Sequence, residues 1–172
     1  FPSANFDIIL CMGVIEHVGE WMLTDKKIID KNHKKLINER GRFLESLFNH
    51  LKPDGYLIIT TPNRNFPIDF QHGSYGCLNW LSKYSISVHS PFTRFLESYY
   101  SLALHFRKIG EYKQEYLPLK GFFGFNVITL SPRLKILKRF FDIYISYLDT
   151  MPNFVRRSFL NPYIVLKITR LQ

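Results

Sequence analysis

The chain of 172 residues is long enough for one domain with a substantial core, and a hydrophobic content of 46% excludes a disordered protein. No uncharged apolar run approaches the roughly 18 residues of a membrane-spanning helix, and Cys11 and Cys77 lack the spacing of a metal site, which favours a reduced, cytoplasmic setting. The net charge of +9 favours an anionic partner such as nucleic acid, a phospholipid surface or a phosphorylated substrate, although a solvated basic face explains it equally well.

The first element predicted from the sequence is an apolar strand. Residues Phe6–Met12, FDIILCM, form a mostly apolar run with β-branched members and no alternation. This pattern predicts a strand that is covered on both faces, as in a parallel sheet. Gly13 ends the run, and Glu16 and His17 lie side by side where we expect a helix to begin.

A helix and a second strand follow. A charged segment at 24–51 carries apolar residues at roughly helical spacing, with Arg40-Gly41 as a candidate interruption. Pro53-Asp54-Gly55 predicts a turn in which Gly55 supplies the positive φ. Residues 56–61 predict another buried strand, which Pro62 ends because proline has no N–H to donate. The order strand, helix, turn, strand predicts a parallel βαβ unit.

The second half of the chain is less regular. Residues 63–89 are rich in Asn, Ser, Gly, Pro and aromatics, which predicts a long excursion over a site. Further along the chain, 91–108 predicts a helix and 111–117 a strand. Residues 134–149 predict a strongly amphipathic helix, and 163–169 a final strand.

Two motifs carry a resemblance to a known family. The segments FDIILCMGVIEHV and LFNHLKPDGYLIITTPNR together resemble class I S-adenosylmethionine-dependent methyltransferases, and are most similar to the ubiquinone-biosynthesis O-methyltransferases and their relatives. In that family the motifs are the fourth and fifth strands with the helix between them. They cover about the first third of this chain.

The resemblance implies an α/β, Rossmann-like class I methyltransferase fold that is incomplete, with strands four to seven and their helices present and the first three βα units absent. We expect one partial domain over 1–172, with a cofactor-side βαβ unit at 1–63 and an acceptor-side cap with a C-terminal hairpin at 64–172. The hairpin would pair 111–117 with 163–169. A fourth strand without a first strand would leave an unpaired apolar edge, and the chain alone is expected to be inactive and to bind S-adenosylmethionine weakly.

The resemblance also implies site residues. S-adenosylmethionine is the implied cofactor, and the wall offered to it is expected at Cys11, Met12, Gly13 and Val14. Glu16 and His17 would lie beside the methyl-transfer site as catalytic residues. The structural alternatives are that Glu16 caps or charges the first turn of a helix and that His17 bonds a backbone carbonyl.

Other candidates lie farther along the chain. Some relatives use a divalent cation with a Glu-x-x-Glu-His motif, but Gly13 stands at the first Glu position here, so no metal site is expected. His72 lies in the loop after the fifth strand and is expected to act as a general base or to orient the acceptor; otherwise it is a solvent-facing loop residue. Asp69 and His89 are weaker candidates of the same type.

The function implied is O-methylation of a small-molecule, lipid-linked or surface-sugar acceptor in the cytoplasm. The 134–149 helix and Arg156-Arg157 would lie against an anionic membrane surface or lipid-linked substrate, with attachment at the inner membrane face; the alternative is a helix packed over the sheet. A nucleic-acid methyltransferase is an alternative that the positive charge permits, although this sequence has no NPPY-like motif in the turn after strand four. A non-catalytic, methyltransferase-like scaffold is the other rival.

Overall fold

The computed structural model describes residues 5–19, 29–69, 77–78, 96–120 and 135–171. Within these ranges the secondary-structure elements, in chain order, are β1 (Phe6–Met12), a 3₁₀ turn (Ile15–His17), α1 (Ile29–Asn49), β2 (Leu51–Pro62), β3 (Ile68–Asp69), β4 (Cys77–Leu78), α2 (Tyr99–Phe106), β5 (Tyr112–Tyr116), α3 (Lys135–Thr150), α4 (Asn153–Arg156) and β6 (Tyr163–Arg170). The two short strands β3 and β4 pair with each other in a separate antiparallel ribbon.

The main sheet has the strand order β1-β2-β6-β5. β1 and β2 are parallel, with Cys11 opposite Ile59, so the predicted βαβ unit is confirmed. β6 is antiparallel to both of its neighbours, with Leu166 opposite Ile59 on one side and Tyr116 on the other. The expected pairing of the strand near 111–117 with the final strand is therefore also confirmed.

Helices cover the two faces of this sheet unequally. One face carries α1 and α2 over the larger core. Its buried side chains come from β1, the 3₁₀ turn, β2, β6 and both helices: Cys11, Ile15, Leu44, Phe48, Leu51, Leu57, Ile59, Tyr99, Leu102, Phe106, Ile164, Leu166 and Ile168. The other face carries a smaller core in which α3 packs on β6, through Ile145, Leu148, Tyr163, Val165 and Leu119. Successive residues of β6 therefore point to different cores, as side chains on a strand must.

The prediction that β1 is covered on both faces is wrong. Alternate side chains of this strand are exposed to solvent, namely Phe6 at 39%, Ile8 at 49%, Leu10 at 59% and Met12 at 46%. β1 lies at the edge of the four-stranded sheet, and only its opposite face, with Cys11, reaches the core under α1 and α2. The apolar run thus marks a strand with one buried face and one exposed apolar face.

The helices differ from expectation at two points. α1 runs without interruption through Arg40-Gly41, and Gly41 instead allows close packing, because an added Cβ would lie 3.3 Å from Nδ1 of His105 on α2. α2 begins at Tyr99, since Ser98 is extended and forms a capping box with Ser101, and residues 91–95 of the predicted helix lie outside the described residues. The predicted helix at 134–149 and the strands at 111–117 and 163–169 are found within a residue or two.

The turn before the second strand also differs. Asp54, and not Gly55, has the positive φ, at 63°. Gly55 is required for another reason, because an added Cβ would lie 2.9 Å from the carbonyl oxygen of Lys52 and 3.0 Å from that of Phe6. The turn is an irregularity inside β2, which already pairs with β1 at Leu51. Close approach of the backbones, rather than left-handed geometry, selects glycine here.

Candidate functional site

The turn after β1 begins at a left-handed glycine. Gly13 has φ +62°, and its N–H donates to the carbonyl oxygen of Thr60 at 2.9 Å, the last contact between β1 and β2. The chain then makes one 3₁₀ turn, in which Ile15 is fully buried in the core. Val14 is 42% exposed and His17 is exposed, so both lie at the surface of the turn.

Glu16 joins the ends of the two parallel strands. Its side chain is buried, with 3% of the residue exposed, and Oε2 accepts a hydrogen bond from Oγ1 of Thr61 at 2.9 Å. Thr61 is fully buried near the end of β2. No side chain caps this 3₁₀ turn, so Glu16 does not act as a cap, but it does supply the acidic residue of the first turn, as the second alternative predicted. The carboxylate therefore fixes the turn after β1 against the end of β2.

Arg40 of α1 holds the same turn from the other side. Its residue is 3% exposed. Nη2 donates to the carbonyl oxygen of Glu16 at 2.9 Å, and Nε to that of Val18 at 3.4 Å. Nη1 donates to Oε1 of Glu97 at 3.0 Å. A single buried guanidinium thus connects the turn, α1 and the residues that precede α2.

Glu97 extends this network towards α2. Its second carboxylate oxygen accepts from the hydroxyl of Ser101, and its carbonyl oxygen accepts from the N–H of Arg64 at 2.8 Å. Nε2 of His105 lies 4.0 Å from Oε1 of Glu97. Burial lowers the pKa of His105, while the carboxylate of Glu97 acts in the opposite direction. The imidazole is therefore neutral at neutral pH.

The end of β2 is fixed by a second buried network. Nδ2 of Asn63 donates to the carbonyl oxygens of Asn161 at 2.7 Å and Ser158 at 3.1 Å. Nδ2 of Asn161 in turn donates to the hydroxyl of Tyr99 at 2.8 Å. Both asparagines are buried, at 0% and 2% exposed. The residues before β6 therefore hold the point at which the chain leaves β2.

Cys11 contributes little reactivity to this site. Its side chain is 2% exposed and packs in the core under α1 and α2. Burial, together with the smaller effect of the nearby Glu16, raises the pKa of the thiol to about 12. Since the thiolate is the reactive form, Cys11 is an inert core residue. A ligand at this edge would meet the side chains of Met12 and Val14 and the backbone of Gly13.

The structure brings some of the predicted site residues together. Cys11, Met12, Gly13, Val14, Glu16 and His17 lie in one continuous segment at the carboxyl end of β1. His72 and His89 lie outside the described residues, whereas Asp69 ends the short strand β3.

Sequence reasoning did not find Arg40, Glu97 or Thr61. Thr61 could have been found, because it continues the inward-facing series of Leu57 and Ile59 at the end of a strand. A polar side chain at such a position needs a buried partner.

The described ranges contain neither a metal-binding cluster of side chains nor a helix suited to cross a membrane. No three side chains of His, Cys, Asp or Glu in those ranges come close enough together to hold a metal ion. No helix in the described part of the chain is long and apolar enough to cross a membrane.

Comparisons with known proteins place the chain in a family. No curated protein and no solved structure gives a significant match. A family model described as a methyltransferase domain matches residues 1–101, well over half of the 172 residues, and the match includes β1, α1 and β2. The mixed α/β sheet, with parallel β1 and β2, is consistent with a Rossmann-like fold. The chain belongs to the methyltransferase domain family.

Proposed function

We propose that the protein transfers a methyl group from S-adenosylmethionine to an oxygen atom of a small-molecule, lipid-linked or surface-sugar acceptor. The observation that carries this proposal is the hydrogen bond between Glu16 and Thr61, which joins the carboxyl ends of the two parallel strands beside Gly13 and His17. Open α/β sheets bind their ligands outside the carboxyl ends of the strands. The family match over 1–101 supports methyl transfer as the reaction.

The turn after β1 has the properties that a bound nucleoside cofactor would need. Gly13 has no side chain and a left-handed backbone, which allows a ligand to approach closely. Met12 and Val14 are 46% and 42% exposed and offer apolar surface on either side. We therefore assign the cofactor-side wall to residues 11–14, with Cys11 contributing its backbone. S-adenosylmethionine supplies an electrophilic methyl group on a sulfonium sulfur.

The residues next to this wall suit proton removal from a hydroxyl acceptor. With that methyl group as the electrophile, a hydroxyl acceptor would have to lose its proton to a nearby base. His17 is exposed at the turn, and an imidazole can act as a general base for that proton. Glu16, bonded to Thr61, keeps the turn in place as a positioning residue. His72 stays a second candidate for the proton acceptor.

The cofactor assignment is tested by calorimetric titration of S-adenosylmethionine. We expect micromolar binding to the longest reading frame that contains the chain. In that protein Gly13→Val should abolish binding, because valine is strained at φ +62°. The control is Gly110→Ala, at a position where an added Cβ would make an ordinary contact, 3.5 Å from Cε1 of Phe48.

Activity is tested with methyl-labelled S-adenosylmethionine and fractionated lipid, sugar and small-molecule extracts. Label transferred to a hydroxyl-bearing compound would support the proposal. A folded protein that binds no S-adenosylmethionine and transfers no label would contradict the proposal and favour a non-catalytic scaffold.

A further inference from the structure

Helix α3 is more apolar than its packing requires. Phe141, Tyr144, Ile145 and Leu148 pack in the smaller core against β6. A second stripe at i, i+3 and i+7 is exposed: Phe140 at 67%, Ile143 at 60% and Tyr147 at 58%. An amphipathic helix on a soluble surface normally has charged or polar residues at such positions. We call Phe140, Ile143 and Tyr147 the outer stripe.

Further apolar side chains follow the outer stripe along the chain. Phe154 is 74% exposed, Phe159 52% and Leu160 40%. The hydroxyl of Tyr144 donates to the carbonyl oxygen of Leu160, which holds this segment beside α3. Large side chains that are exposed one at a time need no explanation, but a cluster on one helix and the segment tied to it marks an interaction surface.

The charges around the outer stripe are mainly positive. Residues 135–157 contain five basic and two acidic side chains. One of the acids, Asp149, is already engaged, because its carboxylate accepts from the backbone N–H groups of Leu119 at 2.7 Å and Lys120 at 3.0 Å. Arg139 and Arg157 are exposed. Nη2 of Arg156 lies 4.0 Å from Oδ1 of Asp149, and the guanidinium of Arg157 lies over the ring of Tyr116. The segment 135–157 therefore combines exposed apolar side chains with a formal excess of three positive charges, five minus two.

We propose that the outer stripe of α3 docks on the surface of an anionic phospholipid bilayer. Phe140, Ile143 and Tyr147 would enter the boundary between head groups and acyl chains, with the adjacent Arg139 among the anionic head groups. A second copy of the chain fits less well, because a symmetric interface would place the same positive charges against one another. Docking of this kind does not depend on which acceptor is methylated.

The test is co-sedimentation of the full chain with vesicles. One set is phosphatidylcholine and the other contains about one third phosphatidylserine, each at about 0.1 M and about 1 M salt, where the screening length falls from about 10 Å to about 3 Å. The test variants are Phe140→Ser and the triple change Phe140→Ser, Ile143→Ser, Tyr147→Ser. The matched control is Tyr100→Ser, because Tyr100 is 69% exposed but lies on α2, across the sheet from α3.

We expect the wild type to bind anionic vesicles at least tenfold more tightly than neutral ones at low salt, since each cation near such a surface contributes about fivefold. The triple variant should lose about tenfold or more, Phe140→Ser an intermediate amount, and Tyr100→Ser nothing. Circular dichroism checks that each variant is folded. Absence of binding at low salt, equal binding by the triple variant, or a dimer that the triple variant abolishes would each overturn the proposal.

Discussion

Arg40 and Glu97 form an ion pair that is almost completely shielded from water, with side chains 3% and 5% exposed and 3.0 Å between Nη1 and Oε1. The two residues are 57 positions apart in the chain, on α1 and just before α2. Because Arg40 also donates to the carbonyl oxygen of Glu16, the geometry of the turn after β1 depends on how these helices pack. The candidate site therefore extends into the helical layer.

Breaking this ion pair should be costly. Arg40→Met or Glu97→Met alone leaves an unpaired buried charge, and we expect each to lower the free energy of unfolding by about 3–5 kcal/mol. The double variant should lose less than the sum of the two, which urea denaturation of all four proteins would measure. The control is Arg42→Met, which breaks a pair with Glu39 on the exposed side of α1 and should change little. Strictly additive losses would contradict the assigned coupling.

Stability should fall in mild acid because of His105. Burial lowers its folded-state pKa below the ordinary 6.5, and Lys108 and Arg40 act in the same direction, against Glu97. The unfolded chain then binds the proton more readily, so this contribution is complete above pH 6.5 and is lost as the pH falls through 6.5 towards the folded pKa. Urea midpoints between about pH 8 and about pH 5 should decline less in His105→Gln. An equal decline in both proteins would show that other groups dominate.

The hydrogen bond from Thr61 to Glu16 can be removed without changing the shape of the side chain. Thr61→Val leaves the buried carboxylate without this donor, and we expect a loss of about 1–3 kcal/mol in unfolding free energy. Thr61→Ser keeps the hydroxyl and should lose only about 1 kcal/mol, for the missing methyl group. In the longest reading frame that contains the chain, Thr61→Val should weaken the binding of S-adenosylmethionine, whereas Thr61→Ser should not. Equally weakened binding of S-adenosylmethionine in both variants would show that this hydrogen bond does not support the cofactor site.

Proton removal should depend on a histidine. In the longest reading frame that contains the chain, we expect His17→Ala and His72→Ala to reduce turnover more than cofactor affinity, with at least one losing about 10²-fold. His50→Ala is the control, because His50 precedes β2 and lies at the amino ends of the two parallel strands, whereas Glu16 lies at their carboxyl ends. Turnover near that of the wild type in both test variants would mean that the base lies elsewhere or that none is needed.

Local sequence patterns predicted the secondary-structure elements, whereas contacts between residues far apart in the chain could not be predicted from them. The strands at β1, β5 and β6 and the helix α3 follow from runs and periodicity within a few residues. Arg40, in contrast, is indistinguishable in sequence from the exposed Arg42, because its burial depends on Glu97 far along the chain. The partner of Glu16 was missed for the same reason: the residue was assigned a catalytic role, with a local role in a helix turn as the alternative, whereas Thr61, to which it bonds, is 45 positions away.

The central position of the last strand has a consequence for biosynthesis. Among the described strands, β5 pairs only with β6, and β6 separates it from β2. During translation, β2 and β5 leave the ribosome before the strand that must lie between them, so they stay unjoined until Tyr163–Arg170 has been made. The pairing of Thr60 with Val165 spans more than a hundred residues, and contacts this distant form slowly. The nascent chain would thus expose unpaired strand edges until β6 has been made. Chaperones would bind it best during that interval.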